Sequence, residues 1–420
     1  MEQSDPVLEA FEKLRVREVR TEGHDTASAF LAEFQSTAAS LEPDERIELM
    51  VYAYESSMEL LKAVLSNPQA NKICYLFWGY DGEEDVNSVV PLLINNCPEL
   101  ASLQVEFKHH FAFDFVSSVL EHPSNKVKVL HIPPKTKGDL PRFFAALGQS
   151  QVSALTLFYS PVFAQSLHEY LAKDMLVRLK VWTNFEQVPL ELMVSLADCT
   201  RLTKLEMLRC EFSQPTSFTL PKSITKLELA YCTFVGGLDW SFLAGSNVRE
   251  LDFLYMSDVD GRQLGGALAV HLRAKGLGRL RFYDCDFVNE TLAVVGVEVG
   301  RIKRLDLEDS DLNDASLEQI ATALKSPNNE MKELVLKYDD GTASSIENHL
   351  TPVLKHPDCN LVKLSLQADQ HKEAARRVED MFRNRLALFV LLQGRQLRRR
   401  YCPLRRLPVE MFRLVAAALI

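Results

Sequence analysis

Leu202-Thr-Lys-Leu205-Glu-Met207, Ile224-Thr-Lys-Leu227-Glu-Leu229 and Val248-Arg-Glu-Leu251-Asp-Phe253 are three copies of one line, apolar-x-x-Leu-x-apolar. The line continues as Leu277-Gly-Arg-Leu280-Arg-Phe282, Ile302-Lys-Arg-Leu305-Asp-Leu307, Met331-Lys-Glu-Leu334-Val-Leu336 and Leu361-Val-Lys-Leu364-Ser-Leu366. Its last three residues alternate apolar, polar, apolar, as a half-buried strand requires. Weaker copies lie upstream at Ile73–Trp78, Leu100–Val105, Val127–Ile132, Val152–Leu157 and Leu176–Val181. The central leucine therefore falls at 76, 103, 130, 155, 179, 205, 227, 251, 280, 305, 334 and 364, at intervals of 22 to 30 residues. Chance does not keep that spacing over 290 residues.

Helical patterns fill the intervals. The clearest is Asp314-Ala-Ser-Leu317-Glu-Gln-Ile320-Ala-Thr-Ala-Leu324, with apolar residues at i, i+3, i+4 and i+7 and a capping Asp or Ser in front. Pro327 stops it before the next strand. A unit of one strand and one helix cannot bury its apolar faces alone, so neighbours must stack.

These residues resemble the leucine-rich-repeat family, in its ribonuclease-inhibitor-like subfamily. Ser316–Ser326 followed by Met331–Leu336 looks like that subfamily's helix-to-strand line, over a resemblance spanning about residues 70–370. Cys210, Cys232 and Cys285 stand five residues after the central leucine. There the family places an Asn or Cys that hydrogen-bonds the turning backbone. The resemblance implies an α/β solenoid, a horseshoe of about twelve strand–helix repeats with helical caps, strands on the concave wall and helices on the convex one.

Around that core the chain divides into three. Residues 1–70 carry helical patterns, such as Asp44–Leu65, and read as an N-terminal helical cap; 71–370 are the solenoid; 371–420 are a basic, helical C-terminal cap. Lys372–Gln396 places Val378, Phe382, Leu386, Phe389 and Val390 on one helix face.

Of the 420 residues, 47% are hydrophobic and 25% charged, which excludes a largely disordered chain. The charged opening Met1–Glu18 predicts no secretory signal. No apolar run approaches a membrane span. Eight scattered cysteines without a CxxC pair predict a reduced, cytoplasmic setting. Net charge is −10, but from Lys372 onward it is +8, leaving −18 on the rest. An acidic body argues against nucleic acid as its partner.

The sequence offers no GxSxG elbow, phosphate loop, HExxH helix or GxGxxG turn, so the expectation is a protein that is not an enzyme and takes no cofactor or metal. Gly236-Gly237 and Gly265-Gly266 read as turns in inter-repeat loops, and His109-His110 as a surface pair. Asn289-Glu-Thr291 reads as a chance sequon.

The informative positions lie on the concave face. Four residues after each central leucine stand Tyr80, Phe107, Pro134, Tyr159, Thr183, Arg209, Tyr231, Tyr255, Asp284, Asp309, Tyr338 and Ala368; six of the twelve are aromatic in a chain that is 9% aromatic. Tyrosine suits an interface because it joins a large rigid area to one polar handle. With Tyr283 they form the candidate partner surface; packing over the strand exits is the alternative. An acidic ridge adjoins it, comprising Asp284, Asp286, Glu308, Asp309, Asp311, Asp339 and Asp340. The ridge would steer a basic partner segment.

The tail carries Arg398-Arg399-Arg400 and Arg405-Arg406, then Leu407-Pro-Val-Glu410-Met411-Phe-Arg-Leu-Val415-Ala-Ala-Ala-Leu419. Pro408 at a helix start with Glu410 in the first turn is sound initiation chemistry. Leu407, Pro408, Glu410, Met411, Val415 and Leu419 resemble the opening of an F-box. That resemblance implies recruitment of a Skp1-type adaptor of a ubiquitin ligase. A second cap helix is the other reading, and the arginine run is also a nuclear-import pattern. The expected function is non-catalytic recognition of a protein through the concave strands and exit loops, with a ligase substrate receptor as the alternative.

Overall fold

A computed structural model describes residues 15–383 except 21–26, 53–56, 81–84, 108–111, 133–137, 161–163, 185–191, 193–195, 214–218, 236, 311, 339–342, 357–358, 369–372 and 374. The chain is an α/β repeat protein. Its strands are β1 (Arg15–Arg20), β2 (Glu45–Val51), β3 (Ile73–Tyr80), β4 (Ser102–Phe107), β5 (Val129–Ile132), β6 (Ala154–Phe158), β7 (Arg178–Trp182) and β8 (Lys204–Leu208). They continue as β9 (Glu211–Ser213), β10 (Lys226–Ala230), β11 (Thr233–Val235), β12 (Glu250–Leu254), β13 (Leu277–Tyr283), β14 (Ile302–Glu308), β15 (Glu333–Tyr338) and β16 (Lys363–Ala368). Fourteen of them form one sheet in chain order, and β9 with β11 makes a small second sheet. Helices alternate with the strands, as parallel pairing requires a crossover. The chain forms two compact units, 1–206 and 207–420. Among the described residues no helix is long and apolar enough to cross a membrane.

In the first unit, parallel pairing sets Val19, Leu49, Leu76, Leu103, Leu130, Leu155 and Leu179 side by side, each 0 or 1% exposed. The expected purely helical cap over residues 1–70 is therefore corrected. Helices Ala27–Ala39 and Ser57–Leu65 are present, but β1 and β2 carry the sheet two strands further than the leucine line marks. Glu45–Val51, read as part of one long helix, buries Ile47, Leu49 and Val51 alternately, the period of a strand. Register explains the oversight. A shift between Ile47 and Glu48 pairs Ile47 with Ile73, so the first apolar residue stands two positions before Leu49 rather than three. In β1 the central place is held by Val19.

In the second unit Leu227, Leu251, Leu280, Leu305, Leu334 and Leu364 pair in the same way. Helix Asp314–Leu324 forms where the pattern places it, capped by Asn313, whose side chain accepts from the Ser316 N–H at 2.9 Å. Asn289 serves as a staple between repeats, its Oδ1 accepting from Ser316 Oγ at 2.6 Å and from the Asn313 N–H at 3.1 Å. Gly265-Gly266, expected in a loop, lies inside the helix Gly261–Lys275. A Cβ on Gly261 would meet the Phe287 carbonyl at 2.7 Å, and one on Gly265 the Thr291 carbonyl at 2.7 Å. The pair is thus split by function, since Gly266 faces open space. Beyond β16, residues 375–383 are helical and bury Ala375, Val378 and Phe382. Glu379 Oε1 accepts from the Leu366 N–H at 2.7 Å, satisfying a donor of the last strand of the sheet order.

Candidate functional site

Alternation decides what a strand displays. The residue two after the central leucine shares its buried face; those one before, one after and three after lie on the other. The residue four after shares the leucine's face as long as the backbone stays extended.

In the second unit it does not stay extended. Arg209, Tyr231, Tyr255, Asp284 and Asp309 have φ of 55°, 51°, 52°, 50° and 51°, the left-handed region that arginine and tyrosine seldom adopt. Each N–H donates to a carbonyl of the following strand, at 2.8 Å to Ala230, 2.9 Å to Leu254, 2.7 Å to Tyr283, 3.0 Å to Glu308 and 2.9 Å to Lys337. The left-handed turn swings the side chain out and tucks the next residue in. Those next residues are Cys210, Cys232, Met256, Cys285 and Ser310, all buried. Cys232 Sγ donates to the carbonyls of Met207 and Ala230, both at 3.4 Å, and Cys285 Sγ to those of Phe253 at 3.6 Å and Tyr283 at 3.4 Å. Burial pushes the Cys285 thiol up to about 12, so it is a structural donor rather than a nucleophile.

The outward side chains make a continuous row. The Tyr231 and Tyr255 rings stack with centroids 4.4 Å apart and 10° between planes. Tyr283, on β13, meets Tyr255 at 4.8 Å and 62°. Arg209 lies over Tyr231 at 5.7 Å and Arg281 over Tyr283 at 5.3 Å, both within cation–π range. Tyr231 and Tyr255 remain 37% and 38% exposed. Hydrogen bonds to Tyr255 and Asp309, together with the Asp309 charge, push the Tyr283 phenol up. Burial would raise the Asp309 carboxyl, but Lys337 Nζ at 2.9 Å and the Tyr283 hydroxyl hold it below the usual range. Of the expected ridge, Glu308 pairs with Arg281 at 3.1 Å and Asp309 with Lys337. Asp284 and Asp286, joined by Asp258, stay exposed and make no ion pair among the described residues.

Beneath the row the displayed face is an ionic lattice. Asp252, 3% exposed, has Lys226 at 3.3 Å and Arg279 at 3.7 Å; Asp306, fully buried, has Arg279 at 2.9 Å and Arg304 at 3.0 Å. Each acid sits between cations of its own or a neighbouring strand. Alternating charge pins register and leaves little net attraction.

The first unit displays a different face. Tyr52, Tyr75, Phe77, Phe158 and Trp182 occupy its outward slots, half-buried, with Tyr52–Phe77 rings at 5.2 Å and Phe158–Trp182 at 5.9 Å. Sequence reasoning passed over them by inspecting only the fourth residue after each leucine. Aromatics in the polar slots of the leucine line were the available signal. Beside them Glu206, 3% exposed, gathers Arg178 at 3.0 Å, Lys180 at 3.4 Å and Lys204. Burial alone would raise its carboxyl, but these cations outweigh it and hold the group at about 2. Burial, then Arg178 and Lys180, lower the His131 imidazole to about 4.

Three expected partner residues are corrected. Tyr80, Phe107 and Tyr159 are 2%, 7% and 0% exposed and belong to the core. Tyr80 and Phe107 end strands that stay extended, so alternation turns them inward. Trp78 packs on Phe107 at 4.8 Å and on Tyr80 at 5.7 Å. Thr183 is buried as well. Pro134, His109-His110, Asp311, Asp339 and Asp340 lie outside the described residues, as do the side chains of Tyr338 and Ala368 and the whole segment Leu407–Leu419. The structure thus brings together Arg209, Tyr231, Tyr255, Tyr283, Asp284 and Asp309. In comparison with known proteins, no family model and no curated sequence matches the chain.

Proposed function

We propose that this chain is a leucine-rich-repeat recognition protein, a horseshoe whose concave strands and exit turns bind a protein partner without catalysis. The observation that carries this reading is the row Tyr231–Tyr255–Tyr283, its rings packed on one another, with Tyr231 and Tyr255 exposed and mounted on left-handed turns and Tyr283 half-buried at the end of β13. Tyrosines locked against one another lose little side-chain freedom on binding, which is why such residues carry interface energy. The polar groups around them favour recognition over reaction. The carboxylates of Asp252 and Asp306 are clasped by guanidinium and ammonium groups, an arrangement that holds them paired rather than free to take a proton.

The test is capture by the immobilised full chain beside three variants that circular dichroism shows to be folded at the assay temperature. Tyr231→Ala/Tyr255→Ala and Asp284→Ala should lose the captured protein, and Val270→Ser, half-exposed on the helix Gly261–Lys275, should keep it. Retention by the tyrosine variant would remove this surface from consideration. The second reading, a ubiquitin-ligase substrate receptor, is supported by Leu407-Pro408-Val-Glu410 in the sequence. Titration of a Skp1-type adaptor into the wild type and Leu407→Ala/Pro408→Ala tests it: heat lost in the variant supports recruitment, and no binding by the wild type ends it.

A further inference from the structure

We infer that the tyrosine row is occupied in the resting protein by the chain's own arginine-rich tail, residues 395–406. This rests on the reading of the row as a binding surface and adds what covers it.

The argument begins with charge. Residues 384–420 contain eight arginines, no lysine and a single acid, Glu410, a net charge of +7. Around the row, Glu308 and Asp309 are already paired, while Asp258, Asp284 and Asp286 are exposed on the turns after β12 and β13 with no cation within ion-pair distance among the described residues. Three carboxylates that are unpaired among the described residues and a segment with a large cationic excess belong to one chain.

Chemistry narrows the match to arginine. The row already holds two guanidiniums against tyrosine rings, Arg209 and Arg281. A planar, weakly hydrated guanidinium combines ring contact with carboxylate pairing, and an ammonium does this less well. Arg395, Arg398, Arg399, Arg400, Arg405 and Arg406 offer the same group six times.

Reach and concentration complete it. The order β10-β12-β13-β14-β15-β16 puts the row three to five strand spacings from the last strand, roughly 14–24 Å. From Arg383, at the end of the described helix, the twelve residues to Arg395 span up to ~40 Å when extended. A tether of this length holds its end at an effective concentration of about 1 mM, which keeps even a ~100 µM contact about nine-tenths occupied. A protein partner would then have to displace the tail or carry a stronger basic segment of its own.

The experiment uses the full chain with a photo-activated benzophenone on Cys402, the seven other cysteines being buried. After illumination, crosslinks are mapped by mass spectrometry. The inference expects intrachain crosslinks to residues near 231, 255 and 283–286, unchanged on tenfold dilution. They should fall at least fivefold in 0.5 M salt, where the screening length is about 4 Å. They should fall as far in Asp284→Lys/Asp286→Lys and in Arg398→Glu/Arg399→Glu/Arg400→Glu, the second of which alters no described residue. Intrachain crosslinks elsewhere, insensitivity to both reversals, or crosslinks that grow with concentration would overturn it. The two readings fail separately. If crosslinks miss the row while capture still depends on Tyr231 and Tyr255, the surface binds a partner and only the tail assignment falls. If crosslinks reach the row and the tail-reversed chain captures nothing, the tail contact stands and partner recognition falls.

Discussion

Tyr255 is held at φ 52° between two neighbouring rings, and the two facts pull its stability in opposite directions. Left-handed backbone costs a residue with a Cβ about 1–2 kcal/mol, whereas ring contacts return about 0.5–1.5 kcal/mol. Truncation to alanine removes the contacts and keeps the strain; truncation to glycine removes both. We therefore expect Tyr255→Gly to be more stable than Tyr255→Ala by about 1 kcal/mol in urea unfolding, the reverse of the order in a helix or strand. Equal stability of the two would mean that the turn relaxes once the ring is gone. Titrating residues set a second expectation. His131 takes up its proton at 6.5 when unfolded and at about 4 when folded, so the unfolded state binds protons more readily across that window. Stability should fall as pH drops from 6.5 towards 4, and His131→Gln should flatten that slope. Glu206 acts lower. Its stabilisation is complete above 4.5 and is lost as pH falls towards about 2, so the slope remaining below 4.5 in His131→Gln should become shallower when Glu206→Gln is added, the rest being carried by Asp174 and Asp309, whose carboxyls are also lowered. A melting temperature independent of pH between 4 and 6.5 in the wild type would contradict the first of these.

At the scale of the element, two adjacent glycines in one helix make opposite predictions. Gly265 faces the helix Val288–Val295, where a Cβ would lie 2.8 Å from the Cβ of Val294 and 2.7 Å from a carbonyl oxygen; Gly266 faces solvent. Gly266→Ala should raise stability by about 0.5–1 kcal/mol through the unfolded chain and helix propensity. Gly265→Ala should lower it by roughly 1–3 kcal/mol through overpacking. Calorimetric melting of the two single variants checks both signs. Read from sequence the pair suggested a turn, because glycine's commonest meaning is conformational. Its meaning here is close helix packing, which only the neighbouring helix defines. The helix Asp314–Leu324 was legible because its apolar period and its cap are both local. Strand β2 was not, since a single-residue register shift moved Ile47 out of the pattern that locates the other strands. The outward tyrosines fall between these cases. Alternation alone assigns the fourth residue after each leucine to the core, as Tyr80 and Phe107 obey. Only the left-handed turns, absent there and present at Tyr231 and Tyr255, reverse it.

For the whole molecule, stacking of like units makes stability a matter of neighbours, and the ends are the weak points. The leucine line gave away the stacking because the strands from β3 onward in the long sheet repeat it, whereas β1 and β2 depart from it. It said nothing about how the last unit is closed, since closure depends on one helix meeting one strand. Glu379 accepting from the Leu366 N–H, with Phe382 buried beside it at 4% exposure, is that closure. Phe382→Ala leaves a cavity worth about 3–5 kcal/mol. Glu379→Ala leaves the Leu366 donor without its partner, a cost of about 1–3 kcal/mol. In a protein with one global core, such losses would shorten protection everywhere by the same factor. In a linear stack they should loosen β16 first, then β15, and fade inward. Hydrogen exchange of the Phe382→Ala chain should therefore accelerate by at least tenfold at Leu364 and Leu366, less at Leu334, and not measurably at Leu76 or Leu103 in the first unit. Uniform acceleration through both units would show that they unfold together and that the chain does not behave as a stack of neighbours. A graded loss would also place the second unit's free end, where the basic tail departs, as the part of the fold most responsive to whatever that tail binds.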